Sequence, residues 1–290
     1  MKRVKKEFWR GLSGVLAFLL IFITFVSPIA DTYARRINAM LGISTSEVVS
    51  SGSSTEDTAY FKSDYGTDIY DLEQLAQLEA DAAAEEVRQV EAGVVLLKND
   101  NDALPLAAGS SVTLFGQSTV NPFYSYHSVS NSMQTLVTYV DSMRSVYDVN
   151  ETLVSTYSSS GYTRVRSATS PVIGEAPAEF YTDALKQSWQ TSYNDAAIVF
   201  ITRQGGEDSD LVMETSEGIS QLALHQDERD MLAMLQQEKA NGVFDKIIVL
   251  VNANSAMELG WLEEYDVDDC LWVGTPGIVG FTGVANVLTG

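Results

Sequence analysis

Cysteine is almost absent. Cys270 is the only one in 290 residues, so the chain can form no internal disulfide and no cysteine-based zinc site. It sits within Cys-Leu-Trp-Val and reads as a small buried apolar residue. Positive charge is scarce too. The net charge is -21, and seven of the 18 Lys and Arg residues fall within residues 1–36. Beyond that point 11 basic residues face 37 acidic ones. Such a surface repels phosphate backbones, so nucleic acid is a poor partner. Gly274, Gly277 and Gly280 lack the G-x-G-x-x-G spacing of a dinucleotide site, and no other cofactor is implied. Glu263-Glu264 and Asp266, Asp268 and Asp269 lack the spacing of a calcium loop. They read as a solvated acidic face without a metal. No internal repeat or heptad run is present. What the chain does have is 45% apolar residues, ample for a packed core.

The basic residues gather at the amino end. Lys2, Arg3, Lys5, Lys6 and Arg10 precede an uncharged run over residues 11–30. About 20 apolar residues suffice to cross a bilayer as a helix. The positive flank holds its own side in the cytoplasm, which leaves the bulk of the chain extracytoplasmic. Residues 1–36 thus read as a basic tail and single-pass signal-anchor in the cell membrane. The rival reading is a signal peptide cleaved near Thr32-Tyr33-Ala34 and a secreted product. Residues 37–68 are a Ser/Thr-rich linker (STSEVVSSGSSTEDTAY at its heart), with too little apolar surface to offset the entropy of folding.

From residue 69 onward the pattern changes. Residues 71–91 place Leu72, Leu75, Leu78, Ala82 and Val87 near helical spacing. Short apolar runs at 94–98, 111–115, 196–201, 246–251 and 270–273 read as strands. Residues 132–143, capped by Asn131, and residues 181–188, 227–240 and 281–288 read as helices. Residues 158–178, marked by Ser, Gly and Pro, read as an insertion loop. Strands and helices alternating at short spacing predict an α/β class, a mostly parallel sheet sandwiched between helices, over residues 69–290.

The stretch AAIVFITRQGGEDSD, residues 196–210, holds the chemistry. A β-branched run reads as a strand buried on both faces. It ends in Gln204-Gly205-Gly206, followed by Glu207, Asp208 and Asp210. Ligands of open α/β sheets bind at the loops leaving the carboxyl ends of strands. A merely solvated acidic loop is the bland alternative. His127, in the polar aromatic run Tyr124-Ser-Tyr-His-Ser-Val, is a second candidate, and His225 reads as structural.

Five segments in order resemble the second domain of glycoside hydrolase family 3, the β-glucosidase and β-xylosidase type. EAGVVLLKNDNDALP (residues 91–105) is similar to "EG-VLLKN…LPL". Residues 112–116 follow as its next strand. Residues 196–210 resemble its strand and "GEG-D" loop. VNANSAME (residues 251–258) is similar to "NSGSPME", and WVGTPGIVGFTGVANVLTG (residues 272–290) to "W-PGQEGG-A-A-VL-G". The likeness implies a retaining O-glycosyl hydrolase whose nucleophile is an aspartate on a (β/α)8 barrel. The sandwich then lends a glutamate as general acid/base, and the motif puts it at Glu207. Asp210 falls on the family's following aspartate. Asp208 replaces a glycine and is a second candidate, and Leu211 stands where arginine is common. Tyr124 and His127 fall where loops line the sugar site.

The family's "PGQEGG" is here Pro276-Gly277-Ile278-Val279-Gly280-Phe281, without the polar Gln-Glu pair. Only about 50 residues separate the anchor from Glu85, where a barrel takes roughly 250. The expected partners are a carbohydrate substrate, the membrane through residues 11–30, and a barrel in cis beyond Gly290 or in trans. A tethered carbohydrate-binding or interaction module without turnover is the alternative. For the amino end the expected outcome is concrete. Sequencing the protein from the membrane fraction should return the first residues, and a start near Arg35 would reject the anchor.

Overall fold

The computed structural model describes residues 2–34, 36, 38, 41, 72–100, 102–125, 135–165, 171–205, 211–214 and 220–290. The chain divides into two compact units, Met1–Asp64 and Tyr65–Gly290. In the first, helix α1 spans Lys2–Thr32. Its segment Phe8–Thr32, 25 residues, is long and apolar enough to cross a membrane, a test that a signal sequence near an amino terminus also passes. At 1.5 Å per residue it reaches about 37 Å, beyond the roughly 30 Å of a hydrocarbon core. Its hydroxyls find partners within the helix. Ser13, Thr24 and Thr32 donate to the carbonyls of Trp9, Leu20 and Pro28 at 2.7–2.8 Å. These three hydroxyl dipoles are thereby matched within the helix.

The second unit is built on one sheet. Helix α2, Leu72–Gly93, leads into β1, Val95–Asn99, then β2, Ser111–Phe115, α3, Tyr139–Val146, β3, Asp148–Val149, and α4, Glu151–Ser160. There follow α5, Asp183–Gln190, β4, Ala196–Arg203, α6, Gln226–Ala240, β5, Ile247–Ala253, β6, Asp269–Trp272, and α7, Phe281–Thr289. The six strands lie in the order β1-β6-β5-β4-β2-β3. All neighbours are parallel except β1, which runs antiparallel to β6 as an edge strand. All eight residues of β4 and all seven of β5 are buried, because helices cover both faces. Alternation divides them. Ala197, Val199 and Ile201 face a core with Leu153 of α4, Trp189 of α5 and Met231 of α6. Ile198 and Phe200 face the other core, with Tyr139 of α3 and Phe281 and Val284 of α7.

The α/β sandwich expected from the sequence is what forms, and the differences are local. The helix expected over 132–143 begins at Tyr139. Its cap is Thr138, whose Oγ1 accepts from Asp141 N–H at 3.0 Å, while Asn131 lies outside the described residues. Helix α4, Glu151–Ser160, escaped the sequence reading and ends just inside the insertion expected over 158–178. Its cap, Asn150, takes the Thr152 and Leu153 N–H groups and donates to Thr113 and Ser188. Of the acids expected on a solvated face, Glu263, Glu264 and Asp266 are exposed, but Asp268 and Asp269 are not. Asp268 is buried, accepting Lys239 Nζ at 2.7 Å and Ile247 N–H at 2.8 Å. Asp269 is buried beside it with no hydrogen-bond partner among the described residues. Loss of water on burial, more than repulsion from Asp268, pushes its carboxyl up to about 7.

The last turn, which lacks the polar Gln-Glu pair, meets a carboxylate from α2. Glu86 Oε1 accepts Val279 N–H at 2.8 Å and Gly280 N–H at 3.1 Å, a carboxylate at the start of α7, where the helix dipole favours it. The two helices then pack without side-chain clearance. A Cβ at Gly283 would stand 2.7 Å from the Val87 carbonyl oxygen and 3.1 Å from Val90 Cβ. Gly283→Ala should therefore cost about 1–3 kcal/mol through overpacking, read as a lower urea midpoint. An unchanged midpoint would show that α2 and α7 do not approach this closely.

Candidate active site

The parallel strands β2, β4, β5 and β6 end along one edge, and the polar side chains gather there. Phe115 of β2 is followed by Gly116, at φ 95°. Its position admits no side chain, since a Cβ would stand 2.5 Å from the Phe200 carbonyl oxygen. The chain there approaches β4 as only glycine can. Asn252, fully buried near the end of β5, uses both ends of its amide. Oδ1 accepts Phe123 N–H at 2.7 Å and Thr202 Oγ1–H at 3.2 Å. Nδ2 donates to the carbonyls of Phe123 at 2.9 Å and Gly274 at 2.6 Å. One side chain thus fixes the loops after β2 and β6 against the end of β4.

The glycine hinge after β4 is held the same way. Gly205 N–H donates to Asn254 Oδ1 at 3.1 Å, and Asn254 Nδ2 donates to the Gly205 carbonyl at 3.2 Å. Beneath it lies Arg203, buried with Glu228. Its Nη1 and Nη2 reach the two carboxylate oxygens at 2.7 and 2.6 Å. Nε donates to the Gln221 carbonyl and Nη2 also to that of Ala223, both at 2.8 Å, and Nη1 to that of Thr202 at 3.0 Å. The returning chain closes on itself, with Gln221 N–H on the Met213 carbonyl at 3.0 Å and Gln221 Nε2 on that of Val212 at 2.8 Å. Both roots of the acidic loop are therefore fixed at the carboxyl edge.

A second buried acid stands beside this clamp. Glu175 accepts Gln117 N–H at 3.0 Å and Ala176 N–H at 2.9 Å. No cation pairs with it among the described residues. Desolvation raises its pKa to about 8, and repulsion from Glu228 adds to that, against the two N–H groups. Next to it Gly116 N–H donates to Tyr157 Oη at 2.9 Å, and the Tyr157 and Tyr181 hydroxyls share a bond of 2.7 Å. Nothing in the sequence marked Glu175. Its only signal was a single acid in an otherwise polar insertion.

Of the candidates named from sequence, Glu207, Asp208, Asp210 and His127 lie outside the described residues. Tyr124 is described. Its ring packs edge-on against Phe281 at 5.3 Å, and its carbonyl accepts Gly277 N–H at 2.8 Å. It ties the loop after β2 to the last turn. His225 starts α6, its N–H on Glu228 Oε2 at 2.7 Å. Among the described residues no group of three or more His, Cys, Asp or Glu is placed to hold a metal ion.

Comparison with known proteins bears on what this edge does. A family model described as the glycosyl hydrolase family 3 C-terminal domain matches residues 94–290. Beta-glucosidase A of Butyrivibrio fibrisolvens is 25% identical over 230 residues, which cover 68% of this chain and 26% of that protein. A beta-glucosidase of Ruminococcus albus is 30% identical over 97 residues, 33% of this chain and 9% of that one. Among solved structures, beta-glucosidase 3B from Thermotoga neapolitana in complex with glycerol superposes with a TM-score of 0.58 at 26% identity, covering 73% of this chain and 29% of that one. A beta-glucosidase from Paenibacillus barengoltzii gives 0.57 at 26%, covering 72% and 23%. The chain thus spans 26% and 9% of the two curated relatives it matches.

The raised carboxyl makes stability depend on pH in a definite direction. Glu175 in the unfolded chain ionises near 4.5, and in the fold near about 8. Between those values the unfolded state holds fewer protons, so stability falls as pH rises and levels off above the folded value. Asp269 acts in the same sense up to about 7. Glu175→Gln, neutral at every pH, should flatten the decline of the urea midpoint between pH 5 and 8, by an amount on the order of a few kcal/mol. A variant that keeps the wild-type slope would show that Glu175 is ionised in the fold.

Proposed function

Because the chain belongs to the glycosyl hydrolase family 3 C-terminal domain family, we propose that it is the sandwich portion of a β-glucosidase-like glycoside hydrolase, with Glu207 as the general acid/base. The observation that carries this reading is the pair of hydrogen bonds between Asn254 and Gly205 over the Arg203–Glu228 clamp. They fix Gly205, two residues before Glu207 in sequence, at the carboxyl edge of a parallel sheet, where α/β folds bind their ligands. Asp208 and Asp210 flank the acid, and Tyr124 and His127 are assigned to the sugar-facing rim.

The chemistry needs more than these 290 residues hold. A retaining glycosidase sets two carboxyl groups about 5–5.5 Å apart. One attacks the anomeric carbon. The other protonates the leaving oxygen and later draws the proton from water. On this reading Glu207 is the second group, and the nucleophile comes from a barrel absent from this chain. Residues 11–30 would hold the protein to the cell membrane with this domain outside. A tethered carbohydrate-binding module is the second reading.

The test uses the enzyme in which this domain faces its barrel, with the 290-residue chain alone as the inactive blank. Glu207→Gln should lower kcat/KM for a β-glucoside with a poor leaving group by roughly 10²–10⁴-fold, the worth of a positioned acid. With an activated aryl β-glucoside, whose glycosylation step needs no acid, azide should restore turnover by attacking the glycosyl-enzyme in place of water and releasing the glycosyl azide. Unchanged activity, or turnover by the 290-residue chain by itself, would overturn the assignment.

A further inference from the structure

The cations of the α/β unit usually meet acids. Arg203 faces Glu228, Arg144 faces Asp141 and Glu151, Arg229 faces Glu264, and Lys239 faces Asp266 and Asp268. Arg164 departs from this pattern, in a chain with 39 acids against 18 bases. Its Nε donates to Gln204 Oε1 at 3.1 Å, Nη1 to the Asn121 carbonyl at 2.7 Å and Nη2 to the Pro122 carbonyl at 3.4 Å. All three acceptors are neutral, and no carboxylate pairs with it among the described residues. A guanidinium carries five N–H donors, so among the described residues one donor on Nη1 and one on Nη2 meet no acceptor. Burial, helped by repulsion from Arg203, brings its pKa down to about 10. It is still a cation at neutral pH, poorly solvated and facing no carboxylate among the described residues.

Its position gives that charge a use. Asn121 and Pro122 follow β2, and Gln204 follows β4, so Arg164 bridges two adjacent strand ends at the carboxyl edge. Asn121 Nδ2 in turn donates to Thr163 Oγ1 at 3.1 Å, fixing the segment that carries the arginine. The planar fork suits two oxygens at once, as in a carboxylate or phosphate. We propose that Arg164 binds an anionic group, a carboxylate or a phosphate, carried on the leaving-group side of the glycoside. The location of that group rests on the assignment of Glu207, because the acid/base residue faces the leaving oxygen. Gln204 stands three residues before it. A bound anion also cancels a positive charge that would otherwise lower the pKa of a nearby acid.

The test needs only the 290-residue chain. D-glucuronate, inorganic phosphate and D-glucose are titrated at constant ionic strength and followed by calorimetry and thermal unfolding. Saturable binding of glucuronate or phosphate, and none of glucose, is expected. The tighter of the two anions identifies the source of the group. Arg164→Gln, which can still bond to its neutral neighbours, should weaken that binding at least about tenfold, one charge-assisted pair. If this variant does not fold, Arg164→Lys decides. It keeps the charge and loses the fork, so weakened binding supports the site and unchanged binding overturns it. Equal affinity in wild type and Arg164→Gln, or no saturable binding of either anion, overturns the proposal. These outcomes are separate from azide rescue at Glu207, which reads the acid/base role without any anion site.

Discussion

The buried pair of Arg203 and Glu228 is the constraint on which the rest of this edge depends. An ion pair removed from water loses hydration that attraction alone does not return. It is tolerated when every donor and acceptor is matched, and here the match is complete. The five N–H groups of Arg203 meet two carboxylate oxygens and three carbonyls. Glu228 Oε2 accepts one more bond, from His225 N–H. The carbonyls belong to Thr202, Gln221 and Ala223, so one guanidinium joins the last residues of β4 to the chain that leads into α6. Removing either partner would leave a lone buried charge, the costly case for a buried pair.

The asparagines extend that clamp across the sheet. Asn252 and Asn254 sit two residues apart along β5 and its exit, so their side chains point to the same face. Asn252 draws in the loops after β2 and β6, and Asn254 holds the hinge after β4. Loops of a parallel sheet are usually its most variable parts. Here their roots are rigid because amide side chains, which both donate and accept, replace the hydrogen bonds a further strand residue would make.

Much of this was legible in the sequence, for reasons that can be named. Strands β4 and β5 are long apolar runs buried on both faces, so their composition alone identifies them. Helices α6 and α7 keep their apolar stripe in register with their neighbours. The five family-like segments carried the fold because each marks a turn or strand end where few residues fit. What stayed hidden was polar and long-range. Arg203 looks like an ordinary charge closing a strand, and its partner is 25 positions on. Glu175 and Asp269 look like surface acids in an acidic chain. Helix α4 is rich in Ser and Thr, and only the Asn150 cap and the burial of Leu153 and Tyr157 explain it. Glu86 could not be read from the sequence as the partner of the last turn, because it stands 193 positions earlier.

The acids of this domain bear on how an acid/base group could work here. A carboxyl keeps its proton at neutral pH only where water is excluded or a like charge is close. Glu175 and Asp269 show the first condition at work, both raised chiefly by burial. A loop acid open to solvent has neither condition in full, because water screens its neighbours and hydrates its charge. The surplus of acids across the domain cannot supply the shift at a distance, since salt screens exposed charges beyond about 8 Å. If Glu207 is the general acid proposed above, the raised pKa it needs would have to come from a surface that excludes water around it. What the described part of the sandwich supplies is fixed roots for that loop, at Gly205 and at Gln221.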